Sequence, residues 1–247
     1  MKLFEKRLSR FKREFFSFAL IVPVLLGSVT PALAGGNDDP LLTMVMIDQL
    51  EARDADEPTP WVLNGQAWVG KDLKKLWFKA EVENADGEIE EAEVQALYSQ
   101  AIAPFWDFQF GLRQDFQPNA NRTWGVIGLQ GLAPYFFEID TALFIGESGH
   151  TALRLNVEYE LLFTQRLILT PEIGVNFYGE SDVEFGVGSG LSDVEAGLRL
   201  RYEIRREFAP YIGVNWNKSF GNTADFARNE GKETEDLQWV IGVRAWF

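Results

Sequence analysis

Met44 and Met46 lie two residues apart, and Asp48 continues the same spacing; no other residues of this 247-residue chain are so placed to hold a soft metal ion. Alternate residues of an extended strand share a face, so a strand here points all three the same way. Thioether sulfur is a soft ligand that suits Cu(I), while the plainer reading of the pair is two flexible apolar contacts. Little else in the chain offers chemistry. A single histidine, His150, rules out a His cluster for zinc or copper. Ser148 and His150 bring a hydroxyl and an imidazole close, but in a Gly-flanked turn that orients neither. The run Gly186-Val187-Gly188-Ser189-Gly190 is followed by no Lys and opens no helix, so it reads as a flexible loop and not a phosphate cradle. The expectation is a binding or conducting protein and not an enzyme.

The elements that must position these residues begin after an export signal. Residues 1–13 are rich in Lys and Arg, an apolar run follows from Phe15 to Val29, and Pro31-Ala32-Leu33-Ala34 has the small-x-small form of a cleavage site. Pro23 and Gly27 interrupt the run and argue against an anchor helix. Residues 1–34 therefore read as a signal peptide cut after Ala34, and residues 35–247 as the mature domain. Removing the signal's six Lys/Arg and two Asp/Glu takes the net charge from −14 to −18. An acidic chain of this kind is no partner for nucleic acid, which needs clustered Lys and Arg, but it attracts cations. There is no cysteine, so an exported chain must be held together without disulfides.

No apolar stretch long enough for a membrane helix follows, yet aromatics are abundant, with 20 Phe, 8 Trp and 6 Tyr. The period of the pattern is two. Leu76, Phe78, Ala80 and Val82 alternate with Trp77, Lys79, Glu81 and Glu83; Leu153, Leu155 and Val157 alternate with Arg154, Asn156 and Glu158; Leu237, Trp239 and Ile241 open the last such run. Strands are expected near 40–53, 61–70, 73–83, 89–101, 105–115, 123–132, 135–146, 151–163, 167–178, 191–204, 208–218 and 237–247. A soluble barrel alternates too, but runs of ten residues with both signs of charge on the polar face suit a tilted membrane strand around a polar lumen. The fold class is therefore an all-β, antiparallel, up-and-down transmembrane barrel of about twelve strands. Ten is the lower count, because 40–53 also reads as a helix or plug and the faces of 123–132 are ambiguous.

The connectors alternate between tight ones and longer polar ones at 54–60, 84–88, 116–122, 147–150, 179–190 and 219–236. With both termini on the periplasmic side, every longer connector faces outward. Trp61, Trp106, Trp124, Tyr135, Tyr211 and Trp246 fall near strand ends and are expected to form girdles at the membrane interfaces. Inside, Arg154, Arg199, Arg201, Arg244, Lys75 and Lys79 are expected to pair with Glu138, Asp140, Glu158, Glu160, Glu172, Glu195 and Glu203, since an unpaired buried charge is costly.

Several long stretches resemble the copper resistance protein B family: Asp38 to Glu51, Ala101-Ile102-Ala103-Pro104-Phe105-Trp106-Asp107, Gln130 to Tyr135, and Gly188 to Trp216. The chain also ends on Phe247, as outer-membrane barrels commonly do. The resemblance covers about 38–247 and implies an outer-membrane barrel, embedded in lipid, that helps bacteria tolerate copper. It further implies copper ions as cargo, bound or moved across the outer membrane, with a periplasmic multicopper oxidase as partner. Members often carry a long Met- and His-rich segment before the barrel; here only Gly35-Gly36-Asn37 lies between the expected cleavage site and the family-like stretch. That leaves Met44, Met46 and lumenal carboxylates such as Asp48 as the metal candidates, for weak or transient copper binding. The alternatives are a cation-selective porin-like channel and a lipid hydrolase using Ser148 and His150.

Overall fold

The computed structural model describes residues 39–54, 60–85, 88–117, 122–147 and 149–247. The expected signal peptide lies outside the described residues. Thirteen strands form one antiparallel sheet: β1 (Leu42–Asp54), β2 (Trp61–Lys71), β3 (Lys74–Ala85), β4 (Glu88–Ala103), β5 (Trp106–Gln117), β6 (Arg122–Ala133), β7 (Phe137–Gly146), β8 (Thr151–Glu158), β9 (Leu161–Leu162), β10 (Leu167–Tyr178), β11 (Gly190–Tyr202), β12 (Phe208–Ser219) and β13 (Glu235–Trp246). The short strands β8 and β9 both pair with β10 and form a single stave, so the wall has twelve. The break between them, at Tyr159 and Glu160, lies opposite Pro171 of β10, which has no N–H to give to the ladder.

Pairing of β1 with β13 closes the sheet, and the main chains of Val45 and Phe247 exchange two hydrogen bonds of 3.0 and 2.8 Å at the seam. A closed wall leaves no strand edge, which hydrocarbon demands because it offers backbone groups no partner. The greasy faces point outward as the alternation requires. Leu76, Phe78, Leu112, Leu153, Ile212, Trp239 and Ile241 are all exposed on the outer surface, while Arg199, Arg201, Glu51, Glu93 and Gln109 are buried inside. Among the described residues no helix is long and apolar enough to cross a membrane; the crossing is made by strands.

The β1 strand is a full stave and neither a helix nor a plug. It carries a bulge at Asp48 and Gln49, where its registers with β2 and β13 both shift. Before the bulge the even residues Met44 and Met46 face the lumen; after it the odd residues Glu51 and Arg53 do. Residues 123–132 form a regular strand whose even members Trp124 and Val126 point inward.

Both termini of the barrel lie at the end of the tight turns, as expected. One expected long connector is short: β3 runs to Ala85 and β4 begins at Glu88, so the strands reach into the expected connector 84–88 from both sides. At the tight-turn end Phe105, Tyr135 and Phe136 take positive φ of 66–68° with their rings at least 74% exposed, a strained choice for residues other than Gly. At the opposite end the expected polar connector 219–236 contains a helix, α1 (Gly221–Asn229). Loop 179–189 is not loose. Asp182 and Val187 pair through their main chains, and Gly188 N donates to Thr223 Oγ1 of α1 at 2.7 Å. Loop and helix brace one another across the mouth.

Candidate functional site

The bulge in β1 decides where the candidate ligands go. Met44 and Met46 both line a cavity of about 310 Å³ at the tight-turn end, together with Glu160, Arg201, Arg244 and Trp246. Asp48 does not line it. It borders a smaller cavity of about 30 Å³ deeper in the lumen, beside Gln49, Glu158 and Glu172. Gln66 Nε2 donates to Asp48 Oδ2 at 2.7 Å, and the Arg244 guanidinium stands 3.7 Å from Oδ1. The structure thus brings the two thioethers together and sets the carboxylate one chamber inward. Among the described residues no group of three or more His, Cys, Asp and Glu side chains is placed to hold a metal ion.

Around these cavities the lumen is crosslinked. Arg199 grips Glu51 with two hydrogen bonds of 2.9 Å and also bonds Glu172. Glu51 takes two further bonds, from Arg53 Nε at 2.9 Å and the Tyr211 hydroxyl at 3.0 Å, and Arg53 reaches on to Glu195 at 2.8 Å. Gly197 makes room for this knot: a Cβ there would stand 2.6 Å from the Glu172 carboxylate. Farther round the wall, Arg154 of β8 holds Glu93 of β4 at 3.0 Å and approaches Glu81 of β3 at 3.3 Å, five staves away. Arg113 adds contacts to Glu93 at 2.7 Å and Asp115 at 2.6 Å. Lys79 bonds Asp140 at 2.5 Å, and Lys75 stands 3.8 Å from Asp107.

All six cations expected in the lumen are there and paired. Missed were Glu51 and Arg53, which an unbulged β1 would have turned outward, and Arg113, Glu93 and Glu81 as a cluster. A signal for the first pair was present. Two charges at Glu51 and Arg53 occupy the face opposite to Met44, Met46 and Asp48, and only an extra residue reconciles both sets with one lumen. Two expected girdle residues are also inside: Trp124 donates its indole N–H to Asp115 at 2.7 Å, and Tyr211 belongs to the Glu51 knot. Their parity, not their nearness to a strand end, decides their side. Tyr135 and Trp246 are exposed at the tight-turn end.

The lumen is not ionic throughout. Trp77, Leu97, Trp124, Val126, Phe144 and Ala152 pack into an inward apolar cluster, with Trp68, Ala142 and Tyr178 against it. At the opposite mouth His150 Nδ1 stands 3.5 Å from Asp182, and Arg122 of β6 bonds the same carboxylate at 2.6 Å. Burial pushes the Asp182 carboxyl up, but the Arg122 bond and charge outweigh it and leave it below the usual range. Ser148, the other half of the expected Ser/His pair, lies outside the described residues.

The family model described as "Copper resistance protein B precursor (CopB)" matches residues 41–247. This chain belongs to the copper resistance protein B family. Copper resistance protein B of Escherichia coli is 46% identical over 211 residues, covering 85% of this chain and 71% of the relative. The copper resistance protein B homolog of Pseudomonas syringae pv. tomato is 46% identical over 213 residues, covering 85% and 72%. Among solved structures, the NanC porin matches with a TM-score of 0.55 at 13% identity, over 83% of this chain and 99% of the porin. The KdgM porin matches with a TM-score of 0.52 at 13% identity over the same shares. At that identity the likeness concerns the fold, and it agrees with the closed wall described above. The chain is thus an outer-membrane β-barrel of the copper resistance protein B family.

Proposed function

We propose that this barrel binds copper ions as cargo at its tight-turn end and passes them between that end and the lumen, with no catalytic step. The observation that carries the reading is the shared cavity of Met44 and Met46. Two thioethers on alternate positions of one strand offer a soft, neutral pair to Cu(I), and two ligands alone give weak and exchangeable binding. Asp48, one chamber inward, offers oxygen to an ion that has moved past them. With both termini periplasmic, the cavity faces the compartment where a multicopper oxidase partner would meet the ion. The cation-selective channel has less support, because ion pairs such as Arg154–Glu81 cross the lumen from wall to wall.

The test is copper tolerance of a deletion strain complemented with wild type or with Met44→Leu/Met46→Leu, beside the copper content of the purified proteins. Reduced tolerance and several-fold less bound copper are expected. Unchanged copper uptake by a folded double variant would remove the methionines from the mechanism.

A further inference from the structure

Two chambers meet at the same side chains. Arg244 and Arg201 line both the methionine cavity and the small cavity of Asp48, so they form the partition between them. The two arginines are held very differently. Arg201 is clamped by Glu160 at 2.5 Å and contacts Thr170 at 3.4 Å. Arg244 is shared among three carboxylates: it donates one hydrogen bond, to Glu158 at 3.2 Å, and stands 3.7 Å from Asp48 and 3.8 Å from Glu160. Arg199, one row away, has two bonds of 2.9 Å to a single carboxylate, which is the forked geometry a guanidinium prefers. A guanidinium spread over three acids, with one hydrogen bond and no forked pair, has no single fixed partner.

From this we infer that Arg244 is the internal counter-ion that controls passage of cations from the methionine cavity into the lumen. The inference rests on the reading of that cavity as the copper entrance. In the resting barrel the guanidinium satisfies Asp48, Glu158 and Glu160 and repels an approaching cation. An ion that advances must displace Arg244 and meet these oxygens one or two at a time in transit, since among the described residues no three acids are placed to hold it together, and the freed side chain has the methionine cavity to swing into. Arg244 thereby sets selectivity: it turns back cations that bind oxygen weakly and yields to one that binds carboxylate strongly, such as a copper ion that enters the cavity already divalent, with no change of oxidation state on the way. Gln66 favours the exchange, because it keeps Asp48 Oδ2 occupied and so aims Oδ1 at the passage.

The experiment is equilibrium binding of Cu²⁺ to the whole purified protein in detergent, for wild type, Arg244→Gln and Arg244→Lys. Folding is checked by heat-modifiable mobility on gels. Arg244→Gln should bind Cu²⁺ at least tenfold more tightly than wild type. Arg244→Lys, which keeps the charge but loses the fork that spans three acids, should fall between. Adding Asp48→Asn should reverse either gain, which loosened packing alone would not do. Equal affinity in all three proteins, or a gain that survives Asp48→Asn, overturns the inference. If Arg244→Gln does not fold, Arg244→Lys with and without Asp48→Asn decides alone, on the same outcomes. A gain that persists in the Met44→Leu/Met46→Leu background leaves Arg244 as the partition even if the methionines hold no copper. Failure of the methionine test and failure of this one are therefore separate results.

Discussion

The two sides of the lumen are filled by different physics. Toward β3 to β8 an apolar cluster around Phe144, Leu97, Trp77 and Trp124 packs beside ion pairs such as Arg154–Glu93 and Lys79–Asp140. Toward β10 to β13 and β1 it is a lattice of arginines and carboxylates around Glu51, Arg199 and Arg244. A packed ring can only be present or absent, so the first side closes the barrel and rigidifies it. Ion pairs can exchange partners, so the second side can hold the wall together and still admit another cation. The methionine cavity opens beside the exchangeable side.

Removing a partner from the ionic side should have the largest effect. Glu51→Ala leaves Arg199, Arg53 and the Tyr211 hydroxyl without their shared acceptor, and should cost about 4 kcal/mol of stability. Phe144→Ala on the packed side should cost about 3 kcal/mol, as a cavity in a buried cluster. Urea unfolding in detergent, followed by tryptophan fluorescence, measures both; a larger loss for Phe144→Ala would reverse the ranking of the two sides. The contrast sharpens with position. Arg201→Ala, which removes the 2.5 Å partner of Glu160 and leaves it only Arg244 at 3.8 Å, should lower the temperature of heat-modification clearly. Lys232→Ala, whose side chain is 67% exposed, should change stability by less than about 0.5 kcal/mol. Equal shifts for the two would mean the lumenal pairs contribute nothing beyond surface ones.

The smallest effect belongs to the mouth. The Asp182 carboxyl is held below the usual range in the folded protein, so its bond to Arg122 stabilises loop 179–189 at neutral pH. That contribution is complete above the unfolded value, about 3.9, and disappears as pH falls through the lower folded value. Limited proteolysis of this loop by pepsin should therefore accelerate as pH drops below about 4. In Asp182→Asn the loop should already be susceptible at the upper end of that range, with a flatter dependence.

Much of this was legible before any coordinates. Alternation at Leu76 to Glu83 and Leu153 to Glu160 assigns both faces of those strands, because a side-chain period of two leaves no freedom once one face must meet lipid. Trp124 and Tyr211 were misplaced because aromatic type suggests an interface while parity puts them inside. The helix at Gly221–Asn229 escaped because its nine residues bury little beyond Ala224 and take their support from loop 179–189, which is remote in sequence.

The sequence by itself determined the strands, which face of each is greasy, and which charges must share the interior, since these follow from local period and the solvent on each side. Only the tertiary structure decided who pairs with whom. Arg154 meets Glu93 and Arg199 meets Glu51 across gaps of 61 and 148 residues, and closure of the wall sets those neighbours. It also decided that Met44 and Met46 share a chamber while Asp48 stands behind Arg244. One extra residue in β1 shifts the register of everything after it, and only the strands on either side reveal where that residue sits.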